Sequence, residues 1–297
     1  MKINYVISTY NGKLNKRFGQ FPTPGEVLKY HLSSLLNFEH KFSQITIMKP
    51  ESDNFYSDYY DIESVVKHFS IPVKIIECEN YGFSGGQFLK AYETYLDEFD
   101  YYLFIEDDYC PNVDDIDSFL VSTYKNKFSN NKGILCSVVL GTGINDYTLH
   151  APIHWDGIFF VSLQTLQTLY SNPLFESNPK KWIDQMEILD QNGHFDSDYG
   201  WETHRNTYLG AYYQLSFSQL FALSKIEHKD YLDDKKLYSF PFWQDWSGDF
   251  IWYSKNLNKQ GVTQNYDISK SLFTTSPFIP IQLATPEGIL KYLPNTK

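Results

Sequence analysis

Four short apolar runs separated by segments of helical spacing fill the first 105 residues, and an acidic triplet follows the last run. Tyr5–Thr9 (YVIST) is a β-rich run closed by the turn signal Asn11-Gly12. Gly25–Asn37 places Val27, Leu28, Leu32, Leu35 and Leu36 at helical spacing, which predicts an amphipathic helix. Ile45–Met48 reads as a second strand stopped by Pro50, Asp61–Phe69 as a helix and Pro72–Glu77 as a third strand. Gln87–Leu96 reads as a third helix and Tyr101–Ile105 as a fourth strand. This alternation predicts an α/β sheet of mostly parallel order. In such sheets ligands bind beyond the carboxyl ends of the strands, which is where the chemically interesting residues of this chain fall.

Beyond Asp108 the alternation loosens. The spacing predicts a helix over Val113–Phe128, a buried strand over Gly133–Leu140, a strand over Ile158–Val161 and a helix over Leu163–Tyr170. Lys180–Gln191 reads as a helix, His194–Glu202 as a loop leading into another, and Leu220–Ile226 as a strand. No repeat and no Gly/Ser/Pro linker divides the chain. The expected organisation is one domain made of two halves, residues 1–112 and 113–230, with residues 231–297 as a C-terminal extension.

Charge narrows the function. The 25 basic and 36 acidic residues give a net charge of −11, which repels phosphate backbones and argues against nucleic acid as a partner. An aromatic content of 18% argues against disorder and for aromatic-lined surfaces. No apolar run approaches the roughly 20 residues of a membrane span. The start lacks a basic segment followed by an apolar one, so no signal peptide is expected. Cys78, Cys110 and Cys136 form neither a CxxC pair nor a disulfide framework, and cytoplasmic localisation is the expectation.

Glu106, Asp107 and Asp108 follow the fourth strand directly. If the strand persists, Glu106 and Asp108 share one face and Asp107 takes the other. Adjacent carboxylates repel, and a hard divalent cation, Mg²⁺ or Mn²⁺, would neutralise them and bridge to phosphates. An exposed acidic turn, or a cap for the helix near Asp114, accounts for the same residues. Between the third strand and the next helix, Glu79–Gly86 (ENYGFSGG) supplies glycines that admit a ligand close to the backbone and a helix start that offers N–H groups to an anion. An ordinary turn entering a helix also satisfies that stretch.

In this order the segments resemble glycosyltransferases of the GT-A fold, especially family 2-like and EDD-type inverting enzymes. The resemblance spans residues 4–230 as ordered short motifs. It implies a Rossmann-like, mixed but mostly parallel sheet flanked by helices, with a C-terminal elaboration. The acidic triplet resembles the DxD motif, which implies a metal held by Asp108 and Glu106, with Glu106 and Asp107 also facing the nucleotide. Asn80, Gly82, Gly85 and Gly86 match the family's N-x-G-x-x-G stretch. Ser8–Asn11 is similar to its P-T-Y-N segment, with Ser8 in place of proline, and implies base and ribose contacts from Thr9, Tyr10 and Asn11. Asp198–Glu202 (DYGWE) implies Glu202 as the general base, with Asp198 and Asp196 as competitors and Trp201 as a platform for a sugar ring. His154–Ser162 implies Trp155, Asp156 and Gly157 around the donor sugar. His228, 26 residues beyond Glu202, matches a third metal ligand, and a solvated histidine in a charged run is the alternative.

The resemblance therefore implies transfer of a sugar from a nucleoside diphosphate sugar, UDP or dTDP being the expected carrier, to a glycan or lipid-linked acceptor with inversion. Nucleotidyl transfer also uses strand-end carboxylates with Mg²⁺, with Lys13, Lys16 and Arg17 as a phosphate-binding element, but it leaves the GWE and WDG segments unexplained. A non-catalytic carbohydrate-binding protein needs the aromatics and not the acidic triplet. A hydride-transferring dehydrogenase is disfavoured because no GxGxxG follows the first strand.

Overall fold

Apolar runs without polar alternation form strands covered on both faces. The longest such runs become the middle of the sheet. The computed structural model describes residues 1–9, 24–51, 60–107, 109–111, 113–136, 139–140, 153–154, 158–192, 220–221, 224–230 and 273–275. In chain order the elements are β1 (Ile3–Ser8), α1 (Pro24–Leu36), β2 (Gln44–Pro50), α2 (Glu63–Val66), β3 (Val73–Cys78), α3 (Phe83–Tyr95) and β4 (Tyr101–Glu106). There follow β5 (Tyr109–Pro111), α4 (Ile116–Lys127), β6 (Ile134–Cys136), β7 (Val139–Leu140), β8 (Ile153–His154), β9 (Ile158–Ser162) and α5 (Leu163–Tyr170). A 3₁₀ turn (Pro179–Lys181) leads into α6 (Trp182–Gln191), and β10 (His228–Asp230) and β11 (Phe273–Thr275) complete the set.

Among the described residues seven strands form one sheet in the order β10-β6-β9-β4-β1-β2-β3. β1 runs parallel to β2 and β4, β2 to β3, and β6 to β10, while β9 is antiparallel to both of its neighbours. This is the expected mixed, mostly parallel α/β sheet. β11 pairs antiparallel with β5, which brings Phe273–Thr275 against the segment that follows β4. Among the described residues no helix is long and apolar enough to cross a membrane.

β1 and β9 are buried at every residue, and β4 at all but its last. Phe88 of α3 meets Phe104 of β4 at 4.9 Å between ring centroids, and Phe104 meets Phe159 of β9 at 5.0 Å. Each such side chain contributes about 1.5–3 kcal/mol by leaving water. On the amphipathic stripe of α1, Val27, Leu28, Leu32 and Leu35 are fully buried, and Leu36 only partly.

Several predicted boundaries move. The strand expected over Leu220–Ile226 does not form among its described residues. Leu220 and Phe221 are helical, and the amide of Ile226 returns to the carbonyl of Phe221 around Lys225 at φ +56°. An apolar run of that length is buried equally well as a helix end, so periodicity alone could not separate the two. The strand expected over Gly133–Leu140 contributes β6 to the large sheet and β7 to a separate pairing with β8. The helix expected from Gln87 begins four residues earlier, with Gly85 and Gly86 of GFSGG inside it and Gly82 as its N-cap.

The reason for those glycines is packing. Gly82 has φ +74°, and a Cβ there would lie 2.6 Å from Cβ of Pro179 and 3.1 Å from Cζ3 of the buried Trp182. A Cβ on Gly86 would overlap the carbonyl oxygen of Tyr81. The turn from β3 into α3 is therefore pressed against the entry to α6. Gly82→Ala should cost about 2–4 kcal/mol, combining left-handed strain with overpacking. Urea unfolding measures it, and a loss below about 1 kcal/mol would show that Pro179 and Trp182 do not confine this turn.

Candidate functional site

The strand order changes direction between β1 and β4, the switch point at which open α/β sheets bind ligands. The two strands end level, with Ser8 opposite Glu106. The amide of Asp107 donates to the carbonyl of Ser8 at 3.0 Å, so the ladder runs one residue past β4. Glu106 is half-buried and Asp107 is 1% exposed, which turns Asp107 into the protein and Glu106 toward the strand end. Asp108, Tyr10 and Asn11 lie outside the described residues.

Thr9 is locked in place. Its amide donates to Oε1 of Gln87 at 2.9 Å, and Nε2 of Gln87 donates back to its carbonyl at 3.1 Å, so a side chain from α3 supplies one more rung beyond β1. The Thr9 hydroxyl donates to the carbonyl of Met48 at 2.6 Å and accepts from the Tyr60 hydroxyl at 2.8 Å. Burial raises the Tyr60 phenol well above its ordinary range, which keeps it a donor. The hydroxyl proton of Thr9 is thus used inside the protein, and the residue serves as the fixed floor from which residues 10 and 11 continue.

α1 holds the acidic turn. Fully buried His31 has Nδ1 3.2 Å from the carbonyl oxygen of Asp107 and Nε2 2.8 Å from the hydroxyl of Tyr5. A carbonyl only accepts, so Nδ1 carries the proton and Nε2 accepts from Tyr5. Burial pushes the imidazole down to about 4, against the opposing effect of the Asp107 carbonyl. One turn further along α1, the hydroxyl of Ser34 donates to the carbonyl of Pro111 at 3.3 Å. Beneath the turn the Cys110 thiol is driven far up by burial and then by the charge of Asp107, and burial pushes Cys78 up to about 12. Both are poor nucleophiles. Cys78, Cys110 and Cys136 are all free thiols.

The glycine stretch lies at the carboxyl end of β3. Asn80 is exposed, whereas Gly82, Gly85 and Gly86 are buried. A Cβ at Gly82 would meet Pro179 and Trp182, and one at Gly86 the Tyr81 carbonyl and Pro179, so close packing within the chain accounts for both glycines. A cation borders the stretch: Lys180 pairs with Glu79 at 2.7 Å and sits 4.6 Å from the ring centroid of the exposed Tyr81. Gln87, His31 and Lys180 were not among the predicted site residues. The proline that opens the 3₁₀ turn was the one local signal for Lys180, and nothing in the sequence alone marks the other two.

His228 is not brought to the acidic turn. It opens β10 opposite Ile134, whose β9 partner Val161 pairs with Tyr102, so His228 is level with Tyr102, four residues before Glu106. That is about 13 Å along the strands, with β6 and β9 standing between. Its Nδ1 lies 3.2 Å from the carbonyl of Ile226, its ring is edge-on to Phe221, and burial pushes it down to about 4. Among the described residues no three His, Cys, Asp or Glu side chains gather as a metal site. Trp155, Asp156, Gly157, Asp198, Trp201 and Glu202 lie outside the described residues. Ile158, which follows Gly157 in the chain, pairs with Ile105 one residue before Glu106, so β9 begins where β4 ends.

No family model and no curated protein matches the chain. In fold it is similar to the apo crystal structure of mouse xyloside xylosyltransferase 1, with 10% identity over 93% of this chain and 98% of that one, at a TM-score of 0.51. At that identity the likeness is one of fold, and the fold is the expected GT-A-like one. More distant similarities are to HddC from Yersinia pseudotuberculosis (16% identity, 58% of this chain, 80% of that one, TM-score 0.37) and to a Bacillus anthracis protein described as a glucose-1-phosphate thymidylyltransferase (13%, 64%, 84%, 0.39).

Both buried histidines are neutral in the fold and titrate near 4, against about 6.5 when unfolded. The unfolded chain therefore binds their protons first, so the stability they protect is complete above pH about 6.5 and is lost as pH falls toward 4. Between pH 6 and 5 the pair should remove about 2–3 kcal/mol from the unfolding free energy. Urea titrations at the two pH values check this, and His31→Leu should show about half the slope. A flat profile would show that the rings protonate without unfolding.

Proposed function

We propose that this chain transfers a sugar from a nucleoside diphosphate sugar to a hydroxyl acceptor, with metal assistance and with inversion. The observation that carries the reading is convergence at one end of the sheet. The floor residue Thr9, the Glu106–Asp107 turn and the entry to β9 after Gly157 all meet at the ends of β1 and β4. The half-buried carboxylate of Glu106, at the carboxyl end of a central strand, suits a hard cation with oxygen ligands.

In this reading Glu106 and Asp108 hold Mn²⁺ or Mg²⁺, and His228, far from Glu106, is not a ligand. The cation supplies charge neutralisation for the departing diphosphate. Tyr10 and Asn11 continue from the locked Thr9 toward the base and ribose of UDP or dTDP, with Asn80 bordering the nucleotide, whereas Asp107, expected there too, is buried and faces the protein. Trp155, Asp156, Gly157 and Trp201 surround the transferred sugar. Glu202, with Asp198 as the competing carboxylate, takes the proton from a glycan or lipid-linked acceptor as its oxygen attacks from the face opposite the nucleotide. Residues 1–112 then bind the nucleotide, residues 113–230 the acceptor, and residues 231–297 extend the domain. Three buried, reduced thiols suit a reducing compartment such as the cytoplasm.

Thermal unfolding with nucleoside diphosphates, each with and without Mn²⁺, tests this. A ligand at 100 times its dissociation constant adds about 2.7 kcal/mol, a shift of several degrees for a chain of this length. A shift for one diphosphate, present only with metal, is the expected result. Shifts for triphosphates alone would favour nucleotidyl transfer, and no shift would leave the triplet an acidic turn. Asp108→Ala should abolish the metal-dependent shift. Glu202→Gln should preserve it while suppressing transfer, and full activity in that variant would move the base to Asp198.

A further inference from the structure

Two aromatic side chains stand in water where β3 turns into α3: Tyr81 is 47% exposed and Phe83 39%. The backbone that presents them is held against its preference. Gly82 has φ +74° and Phe83 φ +48°, so two consecutive residues take the left-handed region, which a residue with a Cβ adopts at a cost. Pro179 and the buried Trp182 close on Gly82 and keep the turn there. Residues kept in sparsely populated backbone regions cluster at active sites and ligand clamps. Tyr81 is also oriented. Nζ of Lys180 sits 4.6 Å from its ring centroid, and Lys180 is in turn fixed by Glu79 at 2.7 Å. A cation thus rests on the ring while nearly half of the residue stays open.

The chemistry of this surface selects one kind of occupant. Lys180 and Glu79 neutralise each other, so the pair sets a donor beside an acceptor without drawing a phosphate or an anionic headgroup. Two rings make a patch far smaller than the ~800 Å² that each partner of a stable protein complex buries. A sugar fits on every count. Its hydroxyls both donate and accept, as the pair requires, and its C–H face is apolar and weakly positive, which suits the negative face of an aromatic ring. Because ring and ion pair are already fixed, little side-chain freedom is lost on binding.

We propose that Tyr81, with the Lys180–Glu79 pair at its rim, is a binding platform for a neutral carbohydrate, and that Phe83 adds to its apolar surface. Among the described residues β3 is the outer strand of the sheet, and β1 lies two strands away, about 10 Å. The platform therefore lies beside the switch point and not in it. It needs neither metal nor nucleotide, and it stands whatever reaction takes place at the ends of β1 and β4.

Saturation-transfer difference NMR of the full chain tests this, with maltose, cellobiose, lactose and N,N′-diacetylchitobiose as probes and with no metal or nucleotide present. At least one of the four should bind to wild type. Tyr81→Ala should weaken that binding at least about tenfold, whereas Tyr81→Phe, which keeps the ring, should stay within about threefold of wild type. Lys180→Met and Glu79→Gln each remove half of the rim and should weaken it about threefold or more, which keeps the test open should Tyr81→Ala fail to fold. No binding of any of the four by wild type, or unchanged affinity in Tyr81→Ala, Lys180→Met and Glu79→Gln, would overturn the proposal. Binding of phosphatidylserine vesicles that is lost in Lys180→Met, with no disaccharide bound, would overturn it in favour of an anionic headgroup.

Discussion

The parallel pairing of β1 with β4 is the constraint on which everything else depends. Both strands are buried on both faces, so the register Ile3–Tyr101 through Ser8–Glu106 cannot slip by one residue without reversing which side chains meet α3 and which meet the other layer. That register sets Ser8 level with Glu106 and lets the Asp107 amide add one more bond. Because β2 and β3 continue from one side of β1 while β4 lies on the other, the connections diverge there and leave a crevice at the strand ends.

Past the last ladder bond, backbone groups at a sheet end need other partners, since a buried amide or carbonyl left unpaired costs about 1–3 kcal/mol. This chain supplies them from side chains on flanking helices. Gln87 acts as an amide rung against Thr9, His31 receives the Asp107 carbonyl, and Ser34 receives that of Pro111. Each bond satisfies a backbone group and also fixes the direction in which the chain leaves the sheet. Stability and site geometry are produced by the same interactions. The packing of Pro179 and Trp182 against Gly82 and Gly86 performs a comparable task at the end of β3.

Elements defined by their own local pattern were legible in the sequence. α5 spans Leu163–Tyr170 as its spacing requires, opened by the Ser162 hydroxyl accepting from the Thr165 amide at 3.1 Å, and β1, β4 and β9 are the continuous apolar runs. What was not legible depended on partners distant in sequence. GFSGG reads as a turn entering a helix, but why it needs its glycines is plain only when Pro179, nearly a hundred residues away, is seen to occupy the space a Cβ would need. Gln87 and His31 pair with residues 78 and 76 positions distant, and no spacing rule connects them. The match of His228 to a metal ligand depended on its distance in sequence from Glu202. Register across β10, β6 and β9 sets it level with the wrong end of β4.

The chemistry of the groups holding the acidic turn bears on what the turn can do. Three carboxylates in succession repel one another, and a lysine or arginine inserted beneath them would relieve that repulsion by neutralising them. Such a cation would also remove the charge that attracts a metal. The groups that hold it are the backbone carbonyl of Ser8, a serine hydroxyl and an imidazole kept neutral by burial. They fix geometry without neutralising the carboxylates. Tyr5 completes this by accepting no proton from His31: its hydroxyl donates to Nε2, so the ring has one tautomer and Nδ1–H points only at the Asp107 carbonyl. Neutral groups thus set the direction in which the turn leaves the sheet, whatever balances the charge of its carboxylates.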